Sequence, residues 1–229
     1  MKAMILAAGR GERLRPLTDS IPKPLVKVDG KPLIVYHIER LAQAGISEIV
    51  VNHAWLGEKL VQALGCGKRW GVSIRYSAES VALETGGGIK QALPLLGDVP
   101  FLVINGDIFI DELPTFPDFS MGDPLDGKLA HLWLVDNPEQ HPEGDFPLRD
   151  GLVSPAPHND ESALTFSGMG IYHPSIFEGT PDDGFPLAPL LREKMALKAV
   201  SGSHFTGFWC DVGTKERLLK LERRQKSKR

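Results

Sequence analysis

Three features of this sequence predict an α/β fold with a mixed, mostly parallel sheet and helices on both faces. Short, unbroken apolar runs of strand length, Ile49-Val50-Val51 and Phe101-Leu-Val-Ile104, stand among segments of helical spacing; unbroken rather than alternating hydrophobicity marks strands covered on both sides. Strand and helix follow one another in turn, which requires βαβ crossovers. The chain also opens with an apolar strand that runs into a glycine-rich turn. At 229 residues, 42% of them hydrophobic, the chain can bury one full core, and a second independent domain is not expected.

The elements follow in order. The start, Met-Lys-Ala-Met-Ile-Leu-Ala-Ala, is read as a first core strand, because its apolar run ends at Gly9-Arg10, short of a signal peptide's roughly 7–15 residues. Residues 32–44 carry Ile34, Ile38 and Leu41 at helical spacing and stop at Gly45. A strand at 49–51, a helix at 58–64 and a strand at 72–76 come next, then the glycine run 86–88 leading into a helix at 89–96 and the strand 101–104. Residues 111–126, rich in Pro, Gly and Asp, read as a surface excursion. Strands are expected at 129–135, 165–172 and 197–200, a helix at 187–196, and a last helix with Thr214 as its N-cap. The tail 220–229 holds six cations and one anion and reads as a solvated, frayed end without function.

The chemistry concentrates in the stretch Ile5 to Leu25. Gly9 and Gly11 lack a Cβ, so the backbone can take positive φ and bring N–H groups against an anion. Arg10, Arg13, Arg15 and Lys23 add positive charge, which suits a polyphosphate. Two familiar phosphate loops are excluded: the dinucleotide fingerprint needs a third glycine where this chain has Leu14, and no Gly-Lys-Ser/Thr is present. Further along, Asn105-Gly106-Asp107 ends an apolar strand, and a carboxylate there lies where open α/β sheets bind ligands.

Leu6-Ala-Ala-Gly-x-Gly-x-Arg-Leu followed by Pro22-Lys23-Pro24-Leu25 resembles the signature of the sugar-1-phosphate nucleotidylyltransferases. The resemblance implies a Rossmann-like, nucleotide-diphospho-sugar transferase (GT-A-like) fold in one domain: nucleotide-binding at about 1–110, sugar-binding at about 111–213, and a terminal helix and basic tail at 214–229. It implies UTP and a sugar 1-phosphate as substrates, pyrophosphate as a product and Mg²⁺ as cofactor. The nucleotide contacts it implies are Leu6, Ala8, Gly9, Gly11, Glu12, Arg13 and Lys23, with Arg13 and Lys23 catalytic, and Glu79, Thr85 and Gly86 near the base. Asp107 and Asp211, the latter in Trp-x-Asp-x-Gly-Thr, become the metal ligands, and Asn105, Gly144 and Asp145 contact the sugar phosphate or sugar. Many relatives carry Glu-Lys-Pro where this chain reads Ser154-Pro-Ala-Pro157, so the sugar's phosphate needs other partners, with Thr165, Ser167 and Gly168 as candidates.

Each of these residues also has a plainer reading. Thr85 to Gly88 would serve as a flexible loop, Gly144 as part of a β-turn, Thr165 and Ser167 as a solvated strand face, and Asp211 as a cap or turn residue.

Charge and cysteines narrow the classes. A net charge of −3 gives no global attraction to nucleic acid or anionic membranes, and no apolar run approaches the ~18 residues of a membrane span. Cys66 and Cys210 lack Cys-x-x-Cys spacing, which fits a reduced, cytoplasmic chain, monomeric or a small homo-oligomer. Guanylyl or thymidylyl transfer shares every core residue named above. A silent sugar-nucleotide sensor would be expected to lose the arginine, the lysine or the aspartates, all present here, and Leu14 disfavours a dehydrogenase.

Overall fold

The computed structural model describes residues 1–81, 83–116, 123–156 and 162–228. In chain order the elements are β1 (Ala3–Leu6), β2 (Lys27–Val28), β3 (Lys31–Pro32), α1 (Leu33–Gln43), β4 (Glu48–His53), α2 (Gly57–Leu64) and β5 (Ser73–Ala78). Then come α3 (Glu84–Leu96), β6 (Phe101–Asn105), β7 (Ile108–Ile110), β8 (Ala130–Val135), β9 (Phe146–Arg149) and β10 (Leu152–Val153). The chain ends with β11 (Ala163–Tyr172), α4 (Leu187–Ala196), β12 (Val200–His204), β13 (Trp209–Asp211) and α5 (Lys215–Ser227). It forms two compact units, one drawn from Lys2–Ala82, Ile104–Leu113 and Phe208–Arg229, the other from Leu83–Val103 and Pro114–Gly207. Among the described residues no helix is long and apolar enough to cross a membrane.

The first unit contains the βαβ pattern that the sequence predicts. β1 and β5 both pair in parallel with β4, in registers that set Ile5 against Val51 and Val51 against Tyr76. Ala3, Met4 and Ile5 have no exposed surface, as expected of a strand covered on both faces. α1 buries Ile34, Ile38 and Leu41 along one stripe, and α2 buries Leu60 and Leu64. A second cluster joins Val26, Val28 and Leu33 to Phe109, Val212, Leu218 and Leu221, so α5 packs on the β2 and β7 side. Burying each of the two leucines of α5 contributes roughly 1.5–3 kcal/mol. The tail is therefore not frayed: α5 continues to Ser227 because its apolar stripe is buried and its cations find partners.

The second unit is mixed. β8 pairs in parallel with β12 and antiparallel with β11, and β9 and β10 form a hairpin whose strands pair with β11 and β12. β11 carries a register shift between Phe166 and Met169, a β-bulge, with Gly168 at φ +80°. The expected strand at 197–200 begins instead at Val200, because Lys198 takes the left-handed conformation in the turn leaving α4.

α3 also departs from the reading above: it begins at Glu84, so Gly86, Gly87 and Gly88 lie inside the helix, not in a loop before it. The reason is tertiary. The N–H groups of Gly86 and Gly87 both donate to the carbonyl of Phe185, and a Cβ on Gly86 would lie 2.3 Å from the Phe185 ring. Of the expected excursion at 111–126, residues 117–122 lie outside the described residues; at its end the Asp123 carboxylate accepts from the N–H groups of Leu125 and Gly127.

Candidate active site

The charged residues singled out above meet largely within the first unit. β1 ends at Leu6, whose carbonyl accepts the Gly106 N–H at 2.9 Å, so the Asn105-Gly106-Asp107 turn is pinned to the mouth of the glycine loop. No other residue fits at 106, since a Cβ there would lie 2.5 Å from the Leu6 carbonyl oxygen. Asn105, the last residue of β6, is half-buried beside it.

Within the loop Gly11 has φ +67°, and a Cβ would meet both Lys23 and Thr18 at 3.0 Å. Gly9 is exposed and not in the left-handed region, so of the two glycines only Gly11 is required by conformation. The loop is braced from outside: the Thr18 hydroxyl donates to the Gly11 carbonyl at 2.8 Å, and the Trp55 indole donates to the Thr18 carbonyl at 3.2 Å. Ala7 N–H donates to Asn52 Oδ1, and Asn52 Nδ2 donates to the Glu79 carboxylate at 2.6 Å. Glu79 is thus a buried partner that orients Asn52 and, through it, the start of the loop.

The four cations do not act alike. Arg10 stacks over Trp55 and Arg15 pairs with Asp19, both turned to the loop's own scaffold. Glu12 and Arg13 are exposed in the turn that follows Gly11, while Ala8 is half-buried. Lys23 is buried between Pro22 and Pro24, and its ammonium donates to Asp107 Oδ2 at 2.7 Å. An ammonium so enclosed needs a carboxylate close by.

Asp107 immediately precedes β7, and Asp211 ends β13, the strand that pairs with β7. β13 runs antiparallel to β7 with Asp211 opposite Ile108, and the next backbone N–H, that of Val212, donates to the Asp107 carbonyl at 2.7 Å. Arg217, on the first turn of α5, forms an ion pair with Asp211. Gly213 records how closely these groups gather: a Cβ there would lie 2.7 Å from Arg217 Nη2, 2.9 Å from Asp211 Oδ2 and 3.1 Å from Arg13 Nη2. Thr214 does cap α5, accepting the Arg217 N–H at 3.3 Å.

Two residues of this region went unnoticed in the sequence. His37 is wholly buried on α1, and burial, with Arg40 beside it, lowers its pKa to about 4. The ring is therefore neutral, and Nε2–H donates to the Ile108 carbonyl at 2.9 Å, steadying the residue that follows Asp107. Arg217 is the other; its only sequence signal is its place three residues after the Thr214 cap.

The donor set fits a hard divalent cation. Asp107, just before β7, and Asp211, at the end of β13, offer oxygen, the donor Mg²⁺ prefers. Burial, with Asp211 next to it, pushes the Cys210 thiol up to about 12, so no thiolate competes. Among the described residues no group of three or more His, Cys, Asp or Glu is assembled for a metal.

The remaining candidates lie in the second unit, each with a local task. Thr85 is exposed on the first turn of α3, and Gly86 is buried against Phe185. Gly144 takes φ +67°, with the Ala163 carbonyl and Asn137 where a side chain would be. Asp145 accepts the Phe166 N–H at 2.8 Å and pairs with His141, and Thr165 donates to Asn137. Ser167 has no exposed surface. It forms the bulge with Gly168: its hydroxyl donates to the Trp133 carbonyl at 2.6 Å and accepts the Met169 N–H at 3.1 Å. The expectation that it sits on a solvated face is corrected: it is fully buried, and that hydroxyl replaces ladder bonds lost at the bulge.

Residues 2–121 match the model of the nucleotidyl transferase family. The chain is 55% identical over 226 residues to the N-acetylmuramate alpha-1-phosphate uridylyltransferase of Neisseria meningitidis serogroup B, covering 97% of each chain. It is 38% identical to the Caulobacter vibrioides protein of the same name, over 97% of this chain and 96% of the other. Among solved structures, a Bacillus anthracis protein assigned as a glucose-1-phosphate thymidylyltransferase, crystallised with sucrose, superposes with a TM-score of 0.81. It is 22% identical, over 97% of this chain and 94% of that one, and bears on the fold alone.

Proposed function

We infer from the premise that this chain belongs to the nucleotidyl transferase family that it joins a sugar 1-phosphate to UTP, releasing pyrophosphate, and that the sugar is N-acetylmuramate. The Pro-Glu-Gly-Asp-Phe and Thr-Phe-Ser-Gly-Met-Gly-Ile-Tyr segments are like those of the N-acetylmuramate enzymes, and the high identity to two proteins of that name supports the same sugar. The product, UDP-N-acetylmuramate, suits the return of cell-wall sugar to synthesis. A UTP-dependent reaction and two free thiols fit a cytoplasmic setting.

An oxygen of the sugar's phosphate attacks the α-phosphorus of UTP, the bond from that phosphorus to the bridging oxygen of the β-phosphate breaks, and pyrophosphate leaves. The attacking phosphate is already anionic at neutral pH, so no protein base is needed, and catalysis reduces to alignment and charge neutralisation. Lys23 bridges the α-phosphate and the incoming phosphate; its enclosure between two prolines and its bond to Asp107 hold the charge in place before substrate arrives. Arg13, exposed at the glycine turn, meets the β- and γ-phosphates. Asp107 and Asp211 would hold Mg²⁺, which would offset charge on the triphosphate and the leaving pyrophosphate.

The observation that carries this reading is the 2.7 Å pair of Lys23 and Asp107 at the mouth of the glycine loop. A panel of nucleoside triphosphates against sugar 1-phosphates, read by pyrophosphate release, tests it. UTP with N-acetylmuramate 1-phosphate should give the highest kcat/KM; a preference for GTP with mannose 1-phosphate, or no turnover with any pair, would overturn it.

A further inference from the structure

Arg217 has no task in the reaction above, yet it is the most tightly held cation beside Asp211. Its side chain is 17% exposed, it forms an ion pair with one carboxylate oxygen, and its Nε donates to the Thr214 hydroxyl at 3.3 Å. Thr214 therefore does two things: it caps α5 and aims the guanidinium. The crowding at Gly213 adds a second arginine from the far end of the chain, since a Cβ there would lie 3.1 Å from Arg13 Nη2 and 2.7 Å from Arg217 Nη2, and 2.9 Å from Asp211 Oδ2. Two guanidiniums near one point, with one carboxylate there that Arg217 already pairs, leave an excess positive charge. Planar guanidiniums bind phosphate oxygens in pairs, so that excess suits a second anion.

The carboxylate oxygen that Arg217 occupies is one a cation would use. Arg217 and a divalent cation thus compete for Asp211, and whichever loses must find another partner. We propose that Arg217 is an exchangeable counter-ion: it holds Asp211 aimed while no cation is bound, and turns to the pyrophosphate end of the nucleotide beside Arg13 once a cation takes Asp211. The inference rests on the reading of Asp211 as a cation ligand. It departs from a structural role in one respect, because it gives removal of Arg217 opposite effects on two ligands.

The test compares the wild-type protein with Arg217→Gln and Arg217→Lys. Mn²⁺ alone is titrated by the loss of its free electron-paramagnetic signal, and inorganic pyrophosphate is titrated by calorimetry at saturating Mn²⁺. Arg217→Gln should bind Mn²⁺ alone severalfold to about tenfold more tightly, and pyrophosphate about tenfold more weakly, the scale of one charge-assisted hydrogen bond gained or lost. Arg217→Lys keeps the charge but loses the fork, so it should stay near wild type for Mn²⁺ and still weaken pyrophosphate; it carries the test if the Gln variant does not fold. Weakening of both ligands, or no change in either, overturns the proposal and leaves Arg217 a brace for α5. Failure of the wild-type protein to bind Mn²⁺ at all removes the cation reading of Asp211 and the proposal with it.

Discussion

Asp111 → Asn should loosen the C-terminal helix, by an amount the structure allows to be worked out. The Asp111 carboxylate accepts two bonds from Arg224, at 3.0 and 2.6 Å, and a third from Lys228 at 2.6 Å, while its backbone carbonyl accepts Arg40 Nε at 2.9 Å. Arg224 also lies over the Phe208 ring, 3.3 Å from its centre. The Arg224 hydrogen bonds, and after them the Lys228 bond, hold the carboxyl at about 2 against an ordinary 3.8. Nearly two units of depression correspond to roughly 2.5 kcal/mol before screening, and about 1–2 kcal/mol once the partial exposure of the side chain is discounted. At roughly 2–4 °C per kcal/mol for a domain of this size, the variant should melt about 3–6 °C lower at pH 7.

The pH dependence gives the prediction its sign. A carboxyl whose pKa is lower folded than unfolded stabilises the fold above the unfolded value, near 4, and loses that contribution as pH falls through about 2. The gap between wild type and Asp111→Asn should therefore be full at pH 7 and about half as large at pH 3, measured by thermal unfolding followed by circular dichroism. Arg224→Gln should show a similar loss, and the double variant less than the sum, because both remove one interaction. A gap under about 1 °C at pH 7, or one that stays constant into acid, refutes the reasoning.

Other outcomes follow from the same geometry. Arg13→Ala and Lys23→Met should each cut turnover by roughly 10³-fold while circular dichroism stays native, on the scale of other phosphoryl-transfer cations; near-normal pyrophosphate release in both would reject their roles. Ser167→Ala should lower stability by about 1 kcal/mol and leave KM for the sugar phosphate unchanged, since its hydroxyl serves the bulge of β11; a tenfold rise in that KM in a protein of native stability would return Ser167 to the binding site. Chelation with EDTA should stop pyrophosphate release without altering the far-ultraviolet spectrum, and added Mg²⁺ should restore it; activity surviving chelation sinks the two-carboxylate reading.

What the sequence disclosed was whatever local chemistry dictates. A glycine at φ +67°, an acid just past the end of a buried strand and a threonine opening a helix each follow from a few neighbouring residues, and each is where the spacing put it. The misses share a different cause. Gly86 and Gly87 look like loop residues until Phe185, about a hundred positions away, takes their N–H groups and fills the space of a side chain. Ser167 and Gly168 look like a ligand-facing pair until β8 is beside them and a bulge needs repair. The cations of α5 look solvated until Asp111 and the Leu218–Leu221 stripe give the helix something to hold. Long-range partners decided all three, and nothing in a local window records them.

The ion pairs of the first unit then divide by what each would lose on opening. Asp111 is bound by two side chains of one helix, with Arg224 also stacked on Phe208, so releasing it undoes packing as well as charge. Asp107 is 40% exposed on its side chain and, among the described residues, forms its ion pair with Lys23, while Asp211 is gripped by Arg217 close to where Arg13 also reaches. If the proposed roles hold, an incoming cation in those two pairs would replace the ammonium or guanidinium on the carboxylate while the displaced charge turned to phosphate, so neither partner would be left buried and alone. Ion pairs that can trade partners in this way belong at a substrate site; one that cannot, such as Asp111 with Arg224, belongs to the scaffold. Comparing the salt dependence of melting with that of pyrophosphate binding separates the two kinds: added salt should weaken pyrophosphate binding steeply and shift the melting temperature little. Equal sensitivity of both would mean that the division drawn from packing is wrong.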